Sequence, residues 1–106
     1  VNVRGLNVYP REIEEVLCQH PHVKEAAVIG IPDYHKGEVP KGFVVCKEGV
    51  NASSRELIQF LRQHLANYKV PRYIEFRDAL PRNTTGKILK RVLIEEENKK
   101  ISTQPA

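Results

Sequence analysis

Leu80-Pro81-Arg82-Asn83-Thr84-Thr85-Gly86-Lys87-Ile88 places a single lysine directly after a glycine, at the end of a polar run that a proline enters. Glycine lets a backbone approach a ligand closely. A lysine ammonium on its flexible stem is a mobile point charge, suited to phosphate or to negative charge that develops in a reaction. Lys87 is therefore the candidate catalytic residue, with Gly86 beside it as a candidate cofactor-binding position. The run is not a Walker A phosphate loop. No glycine stands ahead of Gly86 at the required spacing, and Ile88 replaces the required Ser or Thr. On local physics alone, an exposed loop lysine is the favoured account of Lys87.

Other residues with chemical potential are less pointed. Gly5, in Arg4-Gly5-Leu6-Asn7, reads locally as a hairpin glycine that needs a positive φ. His20, His22, His35 and His64 lack paired or HExxH spacing, so no metal site is expected. Cys18 and Cys46 have no ligand spacing either and read as buried, reduced thiols, which fit a reducing cytosol. The 17 Lys and Arg exceed the 13 Asp and Glu to give a net charge of +4. That excess gathers at Lys69, Arg72, Arg77, Arg82, Lys87, Lys90 and Arg91, so an anionic partner is expected to meet the C-terminal third.

The elements that must position these residues follow from periodicity. Pro10 is a good first helical residue, and Ile13, Val16, Leu17 and His20 recur on one face, which predicts a helix from Pro10 to about Gln19. Ala26–Ile31 and Gly42–Cys46 are short apolar runs that read as an antiparallel strand pair joined by a long loop. Ser53 and Glu56 have capping-box spacing ahead of a helix whose apolar face is Leu57, Ile58, Leu61, Leu65 and Tyr68. Arg72–Phe76 reads as a third strand and Pro81–Gly86 as a flexible loop. A last helix begins near Ile88, and the residues from 98 onward form a polar tail expected to be disordered.

The 106 residues make about one domain, expected over residues 1–97, with a tail over 98–106. Its class is α+β, a small, mainly antiparallel sheet of about three strands covered by helices, with an N-terminal hairpin-like segment. No run is long and apolar enough to span a membrane, and the first residues lack the apolar core of a signal peptide. A cytoplasmic protein is expected.

Taken together, three segments resemble the adenylate-forming enzymes: acyl-CoA synthetases, adenylation domains of peptide synthetases and beetle luciferases. Gly5-Leu6-Asn7-Val8-Tyr9-Pro10-Arg11-Glu12-Ile13-Glu14 is similar to the motif that follows the family's hinge. Gly30-Ile31-Pro32-Asp33, Gly37-Glu38 and Gly42-Phe43-Val44 resemble its central strand-loop-strand, and Leu80–Arg91 resembles its last motif. The likeness covers residues 1 to about 97. Tyr68-Lys69-Val70-Pro71, Glu75-Phe76-Arg77-Asp78 and Gly86–Leu93 look most like bacterial long-chain fatty-acid–CoA ligases.

The resemblance implies a small mobile C-terminal domain whose partner is the large N-terminal domain of the same polypeptide, where ATP with Mg2+, the carboxylic acid and coenzyme A are mainly held. By that likeness Lys87 is the adenylation lysine. Gly5 borders the tunnel for the thiol arm in the second, thioester-forming step, with Leu6 and Asn7 flanking it. Some family members carry arginine at the position of Asn7. The implied activity is that of an acid–thiol ligase, with this part alone inactive. Arg82, Lys90 and Arg91 are candidates, by charge, to meet coenzyme A phosphates. An aryl-acid ligase or an adenylation domain shares most of these residues, and a polar tail argues against continuation into a carrier domain. A basic nucleic-acid module lacks interleaved aromatics and is disfavoured. A standalone, non-enzymatic interaction domain is the remaining alternative.

Overall fold

Two neighbouring runs of alternating apolar residues build the centre of the fold, as seen in a computed structural model that describes residues 1–103. In chain order the strands are β1 (Asn2–Val3), β2 (Leu6–Asn7), β3 (Val23–Asp33), β4 (Gly37–Cys46) and β5 (Tyr73–Phe76). The helices are α1 (Pro10–Gln19), α2 (Ser54–Arg62) and α3 (Lys90–Thr103), with one 3-10 turn at Asn67–Lys69.

β3 and β4 pair antiparallel along their lengths, from Val23 opposite Cys46 to Asp33 opposite Gly37. The strands are longer, and the connection far shorter, than the apolar runs suggest. Only Tyr34, His35 and Lys36 separate them. Asp33 closes this turn by accepting from the amides of His35 and Lys36, both at 2.9 Å, and the amide of His35 above all holds its carboxyl below the usual range. On the other edge of β4, β1 pairs antiparallel at Gly37, and β5 runs parallel from Lys41 opposite Tyr73 to Val44 opposite Phe76. A parallel neighbour requires a crossover, which α2 supplies. The β1–β2 ribbon adds two short strands to the expected three, and the α+β class stands.

Alternation sends the strand residues to two cores. Ala26, Val28 and Val44 pack with Val3, Val8, Ile13, Leu17, Leu57 and Leu61 beneath α1 and α2. Ala27, Ile29, Phe43 and Val45 pack with Leu80 and Leu93 on the opposite face. Thus α1 and α2 cover one face, while α3 and the segment around Leu80 cover the other.

α1 has the expected bounds, with Pro10 in its first turn and His20 buried as its C-cap. Ser53 caps α2 by accepting from the Glu56 amide at 3.0 Å. α2 ends at Arg62, earlier than its apolar spacing predicts: the Gln63 and His64 amides bond three residues back, to the Phe60 and Leu61 carbonyls, and Ala66 has left helical φ and ψ. Leu65 still packs on the core from the following loop, whereas Tyr68 is exposed.

α3 continues past residue 97, so the expected tail is helical as far as Thr103 and its remainder lies outside the described residues. Lys100 explains the continuation in part, since its ammonium meets Glu97 one turn back at 3.0 Å and Glu75 on β5 at 3.1 Å. Lys41 on β4 joins the same cluster, 2.6 Å from Glu97 and 3.1 Å from Glu75. Arg77 bonds Glu75 at 2.7 Å and Glu96 at 2.9 Å. Both Lys41 and Arg77 lie over the Phe43 ring, about 5 Å from its centre, so cation–π attraction ties the charges to the apolar layer.

Candidate functional site

The segment carrying Lys87 is a closed turn, which corrects the expectation of a flexible loop. Leu80 is buried before it and Ile88 packs on the second core after it. Between these anchors Arg82 and Ile88 form an antiparallel bridge. The Asn83 amide donates to the Lys87 carbonyl at 2.9 Å, and the Gly86 amide to the Asn83 carbonyl at 3.0 Å. The Asn83 side chain fills the turn. Its Oδ1 accepts from the amides of Thr85 (3.0 Å) and Lys87 (2.9 Å) and from the Thr85 hydroxyl (2.7 Å). Gly86 has φ +87°, and a methyl added there would meet nothing within 4 Å. Its glycine is thus required by backbone conformation rather than by space. Lys87 leaves this frame exposed to solvent.

Arg82 ties the turn to the sheet. One guanidinium nitrogen donates to the Gly86 carbonyl at 2.5 Å, and the other engages the Glu25 carboxylate on β3. Nothing in the spacing of Glu25, Arg82 and Asn83 announces these contacts. Only the hydrogen-bonding capacity of Asn83 in a polar run hints at them.

Gly5 occupies the two-residue turn between β1 and β2, where Asn2 faces Asn7 and Val3 faces Leu6. Arg4 and Gly5 both have positive φ, +51° and +80°, which is the conformation of a tight hairpin turn. The Arg4 amide donates to the Lys36 carbonyl at 3.0 Å, seating the ribbon against the β3–β4 turn. A methyl on Gly5 would meet nothing within 4 Å, so within this domain the local hairpin account suffices for Gly5. Leu6 and Asn7 are exposed beside it.

The structure does not bring Lys87 and Gly5 together. The Gly5 ribbon joins β4 at Gly37, while the Lys87 turn is tied to Glu25, which lies opposite Val45. At roughly 3.3 Å per residue, the strand from Gly37 to Val45 spans about 26 Å. The two candidate sites sit at opposite ends of one hairpin.

The basic cluster expected in the C-terminal third is largely neutralised. Lys69 pairs with Glu12, Arg77 with Glu75 and Glu96, Arg82 with Glu25, and Lys90 with Glu14. Cations gather instead near the Gly5 ribbon. A hollow of about 280 Å3 is lined by Arg4, Lys36, Arg72 and Tyr68, among others, and an adjoining one of about 440 Å3 by Lys36, Arg62 and Arg72.

His20, His22 and Glu56 bring two ring nitrogens and a carboxylate oxygen within 4.8 Å of one another, a meeting that their spacing does not reveal. The His22 amide donates to His20 Nδ1 at 3.1 Å, so the His20 ring proton sits on Nε2 and faces Glu56 at 3.2 Å. The His20 nitrogen that faces Glu56 therefore offers a proton rather than a lone pair. The group is a clamp between the end of α1 and the start of α2. Cys18 is exposed, one position beyond buried Leu17 on the turn of α1, and Cys46 is half-buried, so neither thiol has the full burial expected. Partial desolvation still pushes the Cys18 thiol up. Among the described residues no helix is long and apolar enough to cross a membrane.

Comparison with known proteins bears on the family and the fold. Residues 12–87 match the AMP-binding enzyme C-terminal domain. A long-chain-fatty-acid–CoA ligase of Bacillus subtilis is 52% identical over 93 residues, 88% of this chain and 17% of the relative. A methyl-dioxo-octahydro-indenyl propanoyl:CoA ligase of Rhodococcus jostii is 48% identical over 93 residues, 88% of this chain and 18% of the relative. The chain thus spans under a fifth of the curated relatives it matches. The solved Mycobacterium tuberculosis fatty acyl CoA synthetase superposes with a TM-score of 0.87 at 42% identity, over 94% of this chain and 20% of that one. The match over residues 12–87, a sheet with both faces covered and motifs in their expected order lead to one conclusion: this chain belongs to the AMP-binding enzyme C-terminal domain family.

Proposed function

We propose that this domain serves an ATP-dependent acid–CoA ligase by presenting its two ends in turn to one active site on the rest of the polypeptide. In the first step a carboxylate oxygen attacks the α-phosphorus of ATP, pyrophosphate leaves, and an acyl-adenylate forms. Two anions must approach, and the Lys87 ammonium offsets their repulsion and stabilises the charge that develops. In the second step the thiol of coenzyme A attacks the acyl carbon, AMP departs and the thiol proton is released. Gly5 borders the thiol arm there, with Leu6 and Asn7 beside it.

The observation that carries this reading is the span of about 26 Å between the two ends, given roughly 3.3 Å per strand residue. One stiff hairpin cannot place both ends at one centre together, so turning the domain is the economical way to use both. The Arg4, Lys36 and Arg72 hollow beside the Gly5 ribbon supports coenzyme A phosphates at that end. Arg82 and Lys90 are instead taken up by Glu25 and Glu14. Mg2+ enters with ATP, because the carboxylate touching the lysine turn, Glu25, is engaged by Arg82. A long-chain fatty acid is the proposed substrate class. The ring-bearing acid in the name of the Rhodococcus relative, at nearly equal identity, is the alternative.

The test is Lys87→Ala in the whole enzyme, with adenylate formation assayed separately from thioester formation on supplied acyl-adenylate. The first step is expected to fall about 100- to 1,000-fold, the scale of a lost oxyanion donor, with the second retained. Near wild-type rates in both steps would remove Lys87 from the chemistry.

A further inference from the structure

We infer that Arg82 and Glu25 form a positioning pair that ties the Lys87 turn to the sheet and so sets where its ammonium sits in adenylation. This rests on the proposed role of Lys87 in adenylation. Asn83 gives the turn its internal shape, but its bonds all close within residues 83–87 and leave the orientation of the turn on the domain undetermined. Leu80 and Ile88 hold the two stems by apolar contact, which is non-directional. Arg82 supplies the direction. Its planar fork spans the Gly86 carbonyl, one residue before Lys87, and a carboxylate on β3, the longest strand of the sheet.

The Glu25 side chain is four-fifths removed from solvent and that of Arg82 three-fifths, so the pair lies at the margin of the domain. A pair at such depth adds little to global stability. Its effect falls instead on where the ammonium sits, and misplacement by about 1 Å can cost on the order of 100-fold in rate. A lysine cannot replace this arginine, since an ammonium lacks the fixed fork that reaches both partners.

The experiment uses the whole enzyme with Arg82→Ala, Arg82→Lys, Glu25→Gln and the double variant Arg82→Ala/Glu25→Gln, and Lys87→Ala beside them. Adenylate formation and thioester formation from supplied acyl-adenylate are measured separately, together with thermal unfolding. Each single variant is expected to lower the adenylation kcat about tenfold, with KM for ATP and acid within twofold and thioester formation unchanged. The double variant should be no slower than Arg82→Ala, because one coupling is lost in each. Arg82→Lys should stay impaired.

Loss of both half-reactions in parallel with a fall in Tm would make the pair structural and overturn the inference. Unchanged adenylation in Arg82→Ala and Glu25→Gln, beside a dead Lys87→Ala, would overturn it and leave the proposed function standing. Unchanged adenylation in Lys87→Ala would overturn both.

Discussion

Gly5 and Gly86 both have positive φ and open space where a side chain would begin, yet the proposed function asks different things of them. For Gly86 conformation is the whole requirement within the domain. For Gly5 a second requirement comes from the thiol arm. Gly5→Ala should cost roughly 1 kcal/mol in stability through its left-handed backbone. It should slow thioester formation at least tenfold while leaving adenylation within twofold, as read by single-turnover assays of each step. Equal losses in both steps would reduce Gly5 to a turn residue. Lys87, Gly86 and Gly5 stand out in the sequence through the motifs around them, since residue type alone favours an exposed lysine and two turn glycines. Arg82, Asn83 and Glu25 do not, because hydrogen bonds between β3 and a turn 57 residues later leave no spacing in the chain.

Among the elements, α1 was readable to its ends because its apolar stripe and its proline agree, and β5 because it is short and bounded by Pro71. The long β3–β4 hairpin was not. Pro32 and Pro40 look like breakers, but both lie in strands, and an Asx turn at Asp33 replaces the long loop. α3 is held to the sheet by charge as well as by Leu93. Burial works to raise the Glu75 pKa, but hydrogen bonds from Lys100, Lys41 and Arg77 outweigh it and hold the carboxyl down at about 2. Glu97 is lowered in the same way, with bonds from Lys41 and Lys100 prevailing over its burial. Because these folded-state values are depressed, their contribution is full above the ordinary carboxylate range near pH 4.5. It is lost as pH falls toward 2. Glu75→Gln should lower stability by about 1–2 kcal/mol at pH 7 and flatten this acid slope, measured by urea unfolding at a series of pH values. An unaltered slope would show that the α3 cluster is not what titrates.

At the scale of the whole molecule, charge is better read in three dimensions than along the chain. A net charge of +4 says little, since most of the C-terminal cations are spoken for by carboxylates brought from α1, β3 and α3. Arg72 instead stands with Arg4 and Lys36 at the Gly5 end, within electrostatic reach of the Asp33 carboxylate. Arg72→Ala in the whole enzyme should raise KM for coenzyme A about three- to tenfold and leave adenylate formation unchanged. The same shift in KM for ATP would place the phosphate contact at the other step. The hairpin that separates the two ends also bears on timing. On the proposed function, a molecule poised for one step is by construction absent from the other, so the two half-reactions compete for a single domain. Whatever favours one pose by tenfold, about 1.4 kcal/mol, starves the opposite step by up to the same factor without touching its substrates. Excess coenzyme A would then slow adenylation from a distance, and the enzyme would behave as a turnstile that admits one reactant per half-turn.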